Sequence, residues 1–536
     1  MILSMVIDML QTNLRQLGWA YYVFADRCRT DGWRCAVEQK YLTWQLSDQD
    51  KNDLTGAQGA WDYIFSSDLS SIQNRIDPIP QDIFDSCENQ YGLMSTYHLM
   101  TETWLPLETY LERLLDGYEA GGETVEGIVL YPKTPYSIRK VAQKRKIPLF
   151  VLEVRPMRWP IYIGSAYFSH FDQLSTDQGE CQSLYNRFLQ EWEQKKYPLL
   201  SREQILALFL EKDYLPYLRY QNIAPQSEAL LIGNGMMCRM DLPHNWNQTK
   251  LLADQMREKF GKRITFRPDG RDPYQAHLGM EDGQYSQESP NIISLLRAKR
   301  AVCAGSNMLF EAMLWNRPVY CDTKDHALYF ICNHTDDWKD ALVPETFLNF
   351  YALVYLAPME IATQDEYVRW RVSEPSMQAV YDKHLTHYLN RWGLTEKDLF
   401  EGGEQDRVSC IVKAKNPEID WPGEADLPEG DAAWEELRAR TNYALGPVAD
   451  KLIRQKQQEE AARAKQAELE AAIARQEEAA RAKQAELEAA ITGRRRPLRQ
   501  SRPNWKRNGM KKGPFRNPTT HCKEKWICFS ILTAGA

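Results

Sequence analysis

Two consecutive Rossmann-like α/β domains followed by a helical C-terminal extension are what the 536-residue sequence predicts, and three observations predict them. The run from Ala298 to Cys321, AKRAVCAGSNMLFEAMLWNRPVYC, sets an apolar strand, a small-residue turn, a helix and a second strand in one unit. The run from Glu126 to Glu153 repeats the order strand, helix, strand, which makes a parallel pair. Beyond residue 400 the composition turns Gly-, Pro- and acid-rich, then Ala-rich and repetitive, then strongly basic.

Met1 to Leu10 is apolar but short and lacks a basic leader, so it reads as the first strand or helix of a domain. Glu126 to Tyr131 is a buried strand, Tyr136 to Lys146 has helical spacing, and Ile147 to Glu153 (IPLFVLE) is a second buried strand. This places Glu153, Arg155 and Arg158 at or just past the carboxyl end of a strand, where open α/β sheets bind ligands. Asp213 to Gln221 reads as helix and Asn222 to Ser227 as a linker, which closes a first domain over 1–225.

A second strand series, 226–400, opens with Glu228 to Ile232 and carries Gly233-Asn234-Gly235 at its tip. Gly233 and Gly235 would let backbone approach a ligand, although a lone G-x-G is weak evidence and a plain turn is the better account of it. A helix over about 248–260, the strand Ile264 to Phe266, the turn Arg267-Pro268-Asp269-Gly270 and a helix from Pro290 to Lys299 follow. In the next unit Gly305-Ser306-Asn307 allows a tight turn and caps a helix striped with Leu309, Phe310, Met313 and Leu314. The open N–H groups there, with the Ser306 hydroxyl, make a seat for a phosphate. Glu311, one and a half turns on, is placed to reach a neighbouring ribose.

Past Cys321 the pattern is helical and aromatic to about residue 400, and 401–446 reads as an exposed linker. Over 447–492 the string EEAARAKQAELEAAI occurs twice, at Glu459 to Ile473 and Glu477 to Ile491. Its eighteen-residue period is five helical turns, and with Ala in most apolar slots it favours a solvated helix over a tight coiled coil. Residues 493–536 hold twelve Lys or Arg against one acid, Glu524, a composition that stays disordered and reads equally as a basic anchor to anionic lipid or as a frameshifted terminus with no selected role.

The S-x4-E strand-turn-helix-strand unit, ending in a basic residue, Pro and Val, resembles the nucleotide-sugar half of bacterial two-Rossmann (GT-B) glycosyltransferases that build capsule and lipopolysaccharide, the Kdo transferases among them. LEVRPMRWPIY resembles their acceptor-side sequence. The resemblance implies a donor site of Ser306, Asn307, Glu311, Arg267, Gly233 and Gly235. It implies a general base at Glu153 and acceptor contacts at Arg155 and Arg158. Arg267-Pro268 stands where such proteins commonly carry His-Pro; an arginine still serves a phosphate or carboxylate through its fork but alters any proton-donating role. Beside these roles stand simpler ones: Ser306 as a cap alone, Glu153 in a salt bridge with Arg155 or Arg158, and the Arg267 turn as a solvated loop.

The net charge of −7 divides into an acidic body and a basic tail, which argues against specific nucleic-acid binding by the body. Eleven cysteines stand singly with no C-x-x-C, which fits free thiols in a cytoplasmic protein. The histidines His244, His277, His326 and His334 are scattered, and no D-x-D ends a strand, so no metal is expected and no cofactor beyond the nucleotide-sugar donor, CMP-Kdo or another. Walker A, G-x-S-x-G and dinucleotide fingerprints are absent. The expectation is a cytoplasmic, metal-independent, inverting glycosyltransferase acting on a glycan or glycolipid acceptor, held at the inner membrane face by its basic tail. A sugar-phosphate transferase or nucleotide-sugar epimerase on the same scaffold, and a noncatalytic scaffold recruited to the membrane, are the alternatives.

Overall fold

Five strands form a parallel array, and all but the one at the sheet's edge are buried along nearly their whole length, as strands covered on both faces are. In the computed structural model these are β1 (Ile2–Val6), β2 (Arg34–Glu38), β3 (Ile76–Ile79), β4 (Gly127–Tyr131) and β5 (Leu149–Val154). The structure describes residues 1–7, 14–42, 70–154, 156–157, 161–169, 179–220, 224–233, 245–267, 291–304, 306, 308–324 and 326–419. β6 (Ser165–Ser169) runs antiparallel to β5, and β11 (Leu356–Pro358) antiparallel to β6. The first sheet thus has seven strands in the order β11-β6-β5-β4-β1-β2-β3.

Alternate residues of these strands feed two cores. Ile2, Val6, Val129, Phe150, Leu152 and Phe168 pack with Tyr21, Phe24, Trp33 and Tyr367 on one face. Leu3, Met5, Ile128, Leu130 and Leu149 pack on the other with Leu107 and Leu111 of the helix Leu105–Ala120 and with Ile138 and Val141 of Tyr136–Arg145. Lys146 ends that second helix in the left-handed conformation.

The second sheet is all parallel: β7 (Ala229–Ile232), β8 (Ile264–Arg267), β9 (Ala301–Cys303) and β10 (Val319–Tyr320), in the order β10-β9-β7-β8. The chain moves from β7 outward to β8, then crosses back over β7 to β9. The order thus reverses between β7 and β9, the kind of switch point at which open α/β sheets take ligands in a crevice. Leu252, Ala253 and Met256 of the helix Asn245–Phe260 pack on Leu231, Phe266 and Val302. The short helix Met308–Leu314 is buried all round.

Both sheets lie within one compact unit, Met1–Gly446. After β10 the chain returns to the first sheet through β11, which the sequence reading does not anticipate; LAP is too short to show a period, and its proline suits only an edge strand. Three other segments differ from expectation. Lys212–Tyr220 is a 3-10 helix with Pro216 inside, where an α-helix would lose a ladder hydrogen bond. The helix expected over Pro290 to Lys299 is described as Asn291–Leu296, because Ala298 already pairs with Ser227. Residues 404–415, placed in the linker by composition, are the helix Glu404–Lys415, with Val408, Ile411 and Val412 buried in an i, i+3, i+4 stripe. The remaining linker, the eighteen-residue repeat and the basic tail lie outside the described residues, as does the second compact unit, Pro447–Ala536.

Candidate functional site

Gly233 follows β7, Arg267 ends β8 and Ser306 stands three residues past β9, so these three predicted donor residues share the carboxyl edge of the second sheet. The Gly233 N–H donates to the Arg267 carbonyl at 2.8 Å, which ties the first two strand ends together. Arg267 Nη1 donates to Ser294 Oγ at 3.0 Å, so its fork is steadied by the helix Asn291–Leu296. Ser306 Oγ accepts the Met308 N–H at 3.3 Å and its carbonyl accepts from Leu309, which is the capping role. Arg317 is buried and donates to the Leu295 and Leu296 carbonyls at 3.2 and 3.1 Å, closing the C-terminal end of that helix. Burial pushes its guanidinium down to about 10. The basic residue and proline of the sequence unit therefore serve the fold.

Glu311 is 7 % exposed and meets Tyr162, from the segment that follows β5. Its Oε2 accepts from the Tyr162 hydroxyl at 3.2 Å, and Trp315 Nε1 donates to the same hydroxyl at 2.9 Å. An indole nitrogen only donates, so Tyr162 accepts from Trp315 and spends its one proton on the carboxylate. Burial, and then the Glu311 charge, push the Tyr162 phenol well above its usual value and keep that proton in place. Tyr162 belongs to a short extended segment, 161–163, that follows β5 and pairs with 209–211: Ile163 donates to Phe209 at 2.8 Å and Glu211 to Ile161 at 2.9 Å. The chain just past the carboxyl end of β5 thus meets the first turn of the helix that follows β9.

Glu153 sits near the end of β5, opposite Tyr167 in the antiparallel register. It is 5 % exposed, and the Tyr167 hydroxyl lies 2.7 Å from that of Tyr351. Glu38 and Lys133 bury their charges at the carboxyl ends of β2 and β4, and Glu38 pairs with Lys40 at 2.9 Å. Buried charges are costly, and here they gather at the edge where this sheet type takes ligands.

The loop after β10 holds a group that the sequence left scattered. Thr335 donates through its N–H to Asp322 Oδ1 at 3.1 Å and through its hydroxyl to Oδ2, and His334 Nδ1 lies 3.6 Å from Oδ1. His334 Nδ1 also approaches the Cys321 carbonyl at 3.0 Å, and the ring stacks on Tyr329 at 4.3 Å. His326 is buried with Nδ1 accepting the Leu328 N–H at 3.2 Å. The usable signal was position, since Asp322 stands two residues past the end of β10. Tyr162 was missed as well; 149 residues separate it from Glu311, and no spacing links them.

Arg155, Arg158, Gly235 and Asn307 lie outside the described residues. Among the described residues no cluster of His, Cys, Asp and Glu suits a metal ion, the eight cysteines are free thiols, and no helix is long and apolar enough to cross a membrane.

No family model and no curated protein matches the chain. Among solved structures it is similar to KpsC, a β-Kdo 2,7-transferase of Thermosulfurimonas dismutans, at 12 % identity and a TM-score of 0.25, over 46 % of this chain and 81 % of that one. It is also similar to S. aureus MnaA solved with UDP, at 10 % identity and a TM-score of 0.23, over 82 % of this chain and 96 % of that one. Scores this low carry no argument, so the chemistry has to rest on the chain's own geometry.

Proposed function

We propose that this chain is a glycosyltransferase that moves a sugar from a nucleotide-sugar donor to a glycan or glycolipid acceptor of bacterial capsule or lipopolysaccharide. One observation supports the reading: the Tyr162 hydroxyl, in the segment that follows β5, donates to Glu311 in the helix that follows β9, so the two stretches read as acceptor-side and donor-side touch. The donor phosphate would lie in the crevice between the ends of β7 and β9, against Gly233 and Ser306, with Arg267 at the neighbouring strand end. Glu153 would take the proton from the acceptor hydroxyl as that oxygen bonds to the anomeric carbon. As that bond forms, the bond from the same carbon to the phosphate oxygen breaks, and the nucleotide leaves with the electron pair. The sugar of the donor, CMP-Kdo or another nucleotide sugar, attaches with inversion and without a metal, at the inner face of the membrane.

A thermal-shift screen with CMP, CDP, UDP, GDP and dTDP tests this, because a ligand of the native state raises the melting temperature by mass action. One nucleotide should stabilise the protein, with the shift lost in Ser306→Ala and kept in Glu153→Gln. No shift with any nucleotide in folded protein sinks the reading. Asp322 and His334 at the end of β10 favour a second reading, nucleotide-sugar epimerisation, since a carboxylate and a histidine gather there. Proton NMR of a nucleotide sugar incubated without acceptor separates the two, because an epimerase alone returns an altered sugar still bound to nucleotide.

A further inference from the structure

We infer that His334 reads a hydroxyl of the bound nucleotide sugar: its Nε2 accepts a hydrogen bond from that hydroxyl and turns a phosphate away. The inference rests on the nucleotide-sugar reading above and deepens it by naming an atom that would recognise the ligand. The chain holds His334 from both sides. Before it, Asn333 pairs with Tyr320 of β10, its N–H donating to the Val319 carbonyl at 2.8 Å and its carbonyl accepting from the Cys321 N–H at 3.1 Å. The Asn333 side chain donates to the Val319 and Ala341 carbonyls at 3.0 and 2.9 Å. After it, Thr335 gives its N–H and its hydroxyl to Asp322. His334 is thus presented at the carboxyl end of β10, the strand beside β9.

The ring has one orientation and one open atom. Its Nδ1 lies 3.0 Å from the Cys321 carbonyl, and its face lies against Tyr329 with ring centres 4.3 Å apart. A carbonyl only accepts, so Nδ1 carries the proton and, in the neutral ring, Nε2 carries a lone pair. The side chain is 37 % exposed, and Nε2 is neither buried nor hydrogen-bonded among the described residues. Solvent, and so a ligand, reaches this atom. A bare imidazole nitrogen needs an O–H or N–H donor. The diphosphate of a nucleotide sugar offers only acceptors, and the Asp322 carboxylate, 3.6 Å from Nδ1, with the exposed Asp336 and Asp337 close by in the chain, adds negative charge that repels it. A neutral hydroxyl, from the ribose or from the transferred sugar, brings the missing proton without that repulsion.

NMR of histidine-labelled protein tests this, with UDP-glucose, GDP-mannose, dTDP-glucose, CMP-N-acetylneuraminate, the matching free nucleotides and inorganic pyrophosphate as probes. The His334 signal is identified by its loss in His334→Phe and in His334→Gln, so the assignment stands if one of them fails to fold. The free protein should show the Nδ1–H tautomer. The nucleotide sugar that binds should move this signal, and pyrophosphate should not. An equal shift with the free nucleotide assigns the hydroxyl to the ribose, and a shift with the nucleotide sugar alone assigns it to the sugar. Isothermal titration gives the second readout. His334→Phe keeps a ring against Tyr329 without the acceptor and should weaken the nucleotide sugar about five-fold, the usual worth of one hydrogen bond. His334→Gln carries an amide oxygen to the same place and should bind within two-fold of the native protein. An Nε2–H tautomer, a signal that pyrophosphate moves as far as the nucleotide sugar does, or a bound nucleotide sugar that leaves the signal in place overturns the role of His334 and leaves the nucleotide-sugar reading standing. A native protein that binds none of the nucleotides or nucleotide sugars overturns both.

Discussion

At the scale of single residues, burial decides what a titratable group does. His326 is 2 % exposed, and burial pushes its imidazole down from 6.5 to about 4. The unfolded chain takes up a proton below pH 6.5 and the folded chain does not until about pH 4, so stability falls as pH drops through that window. The stability present above pH 6.5 and lost on reaching pH 4 is on the order of 3 kcal/mol. His384 is buried between the Leu353 carbonyl and the Tyr367 hydroxyl and shifts in the same direction. Urea midpoints taken from pH 7 to 5 should fall, and His326→Asn should flatten that fall; an unchanged slope in the variant removes His326 as its cause. The cap at Ser306 was legible in the sequence, because a serine before an apolar helical stripe reads as one. Tyr162 was not, because a tyrosine in an apolar run reads as core until its hydroxyl's partner is known.

Among elements, those with long apolar runs or a full helical stripe were legible. β4, β5 and β7 through β10 all lie within a residue or two of the sequence reading, and Met308–Leu314 buries the four apolar residues assigned to its stripe. β11 and the helix Glu404–Lys415 escaped for two different reasons. The first is three residues long, and the second hides its stripe inside a window whose Gly, Pro and acids suggest a linker. Lys415 shows why that helix belongs to the fold. Its ammonium donates to the carbonyls of Ala207 at 2.9 Å, Leu208 at 3.0 Å and Leu210, closing the C-terminal end of Arg202–Phe209. Lys415→Met leaves those carbonyls without their donor and should cost about 1–3 kcal/mol in urea unfolding. A midpoint equal to that of the native protein would return the segment to the linker.

Across the whole molecule, the sequence foretold two α/β layers but not the way they are joined. Joining depends on contacts between distant residues: Tyr162 with Glu311, the pairing of 161–163 with 209–211, and the return of β11 to the first sheet. Local periodicity carries none of these. They bring the segment after β5 to the helix after β9, and the proposed transfer needs its two substrates at one place. Hydrogen–deuterium exchange with and without the nucleotide that best stabilises the protein tests this directly. The account predicts slower exchange in peptides spanning 229–233 and 301–314, with a smaller slowing at 161–163 through Tyr162. Protection confined to other segments, or none under saturating nucleotide, would contradict it.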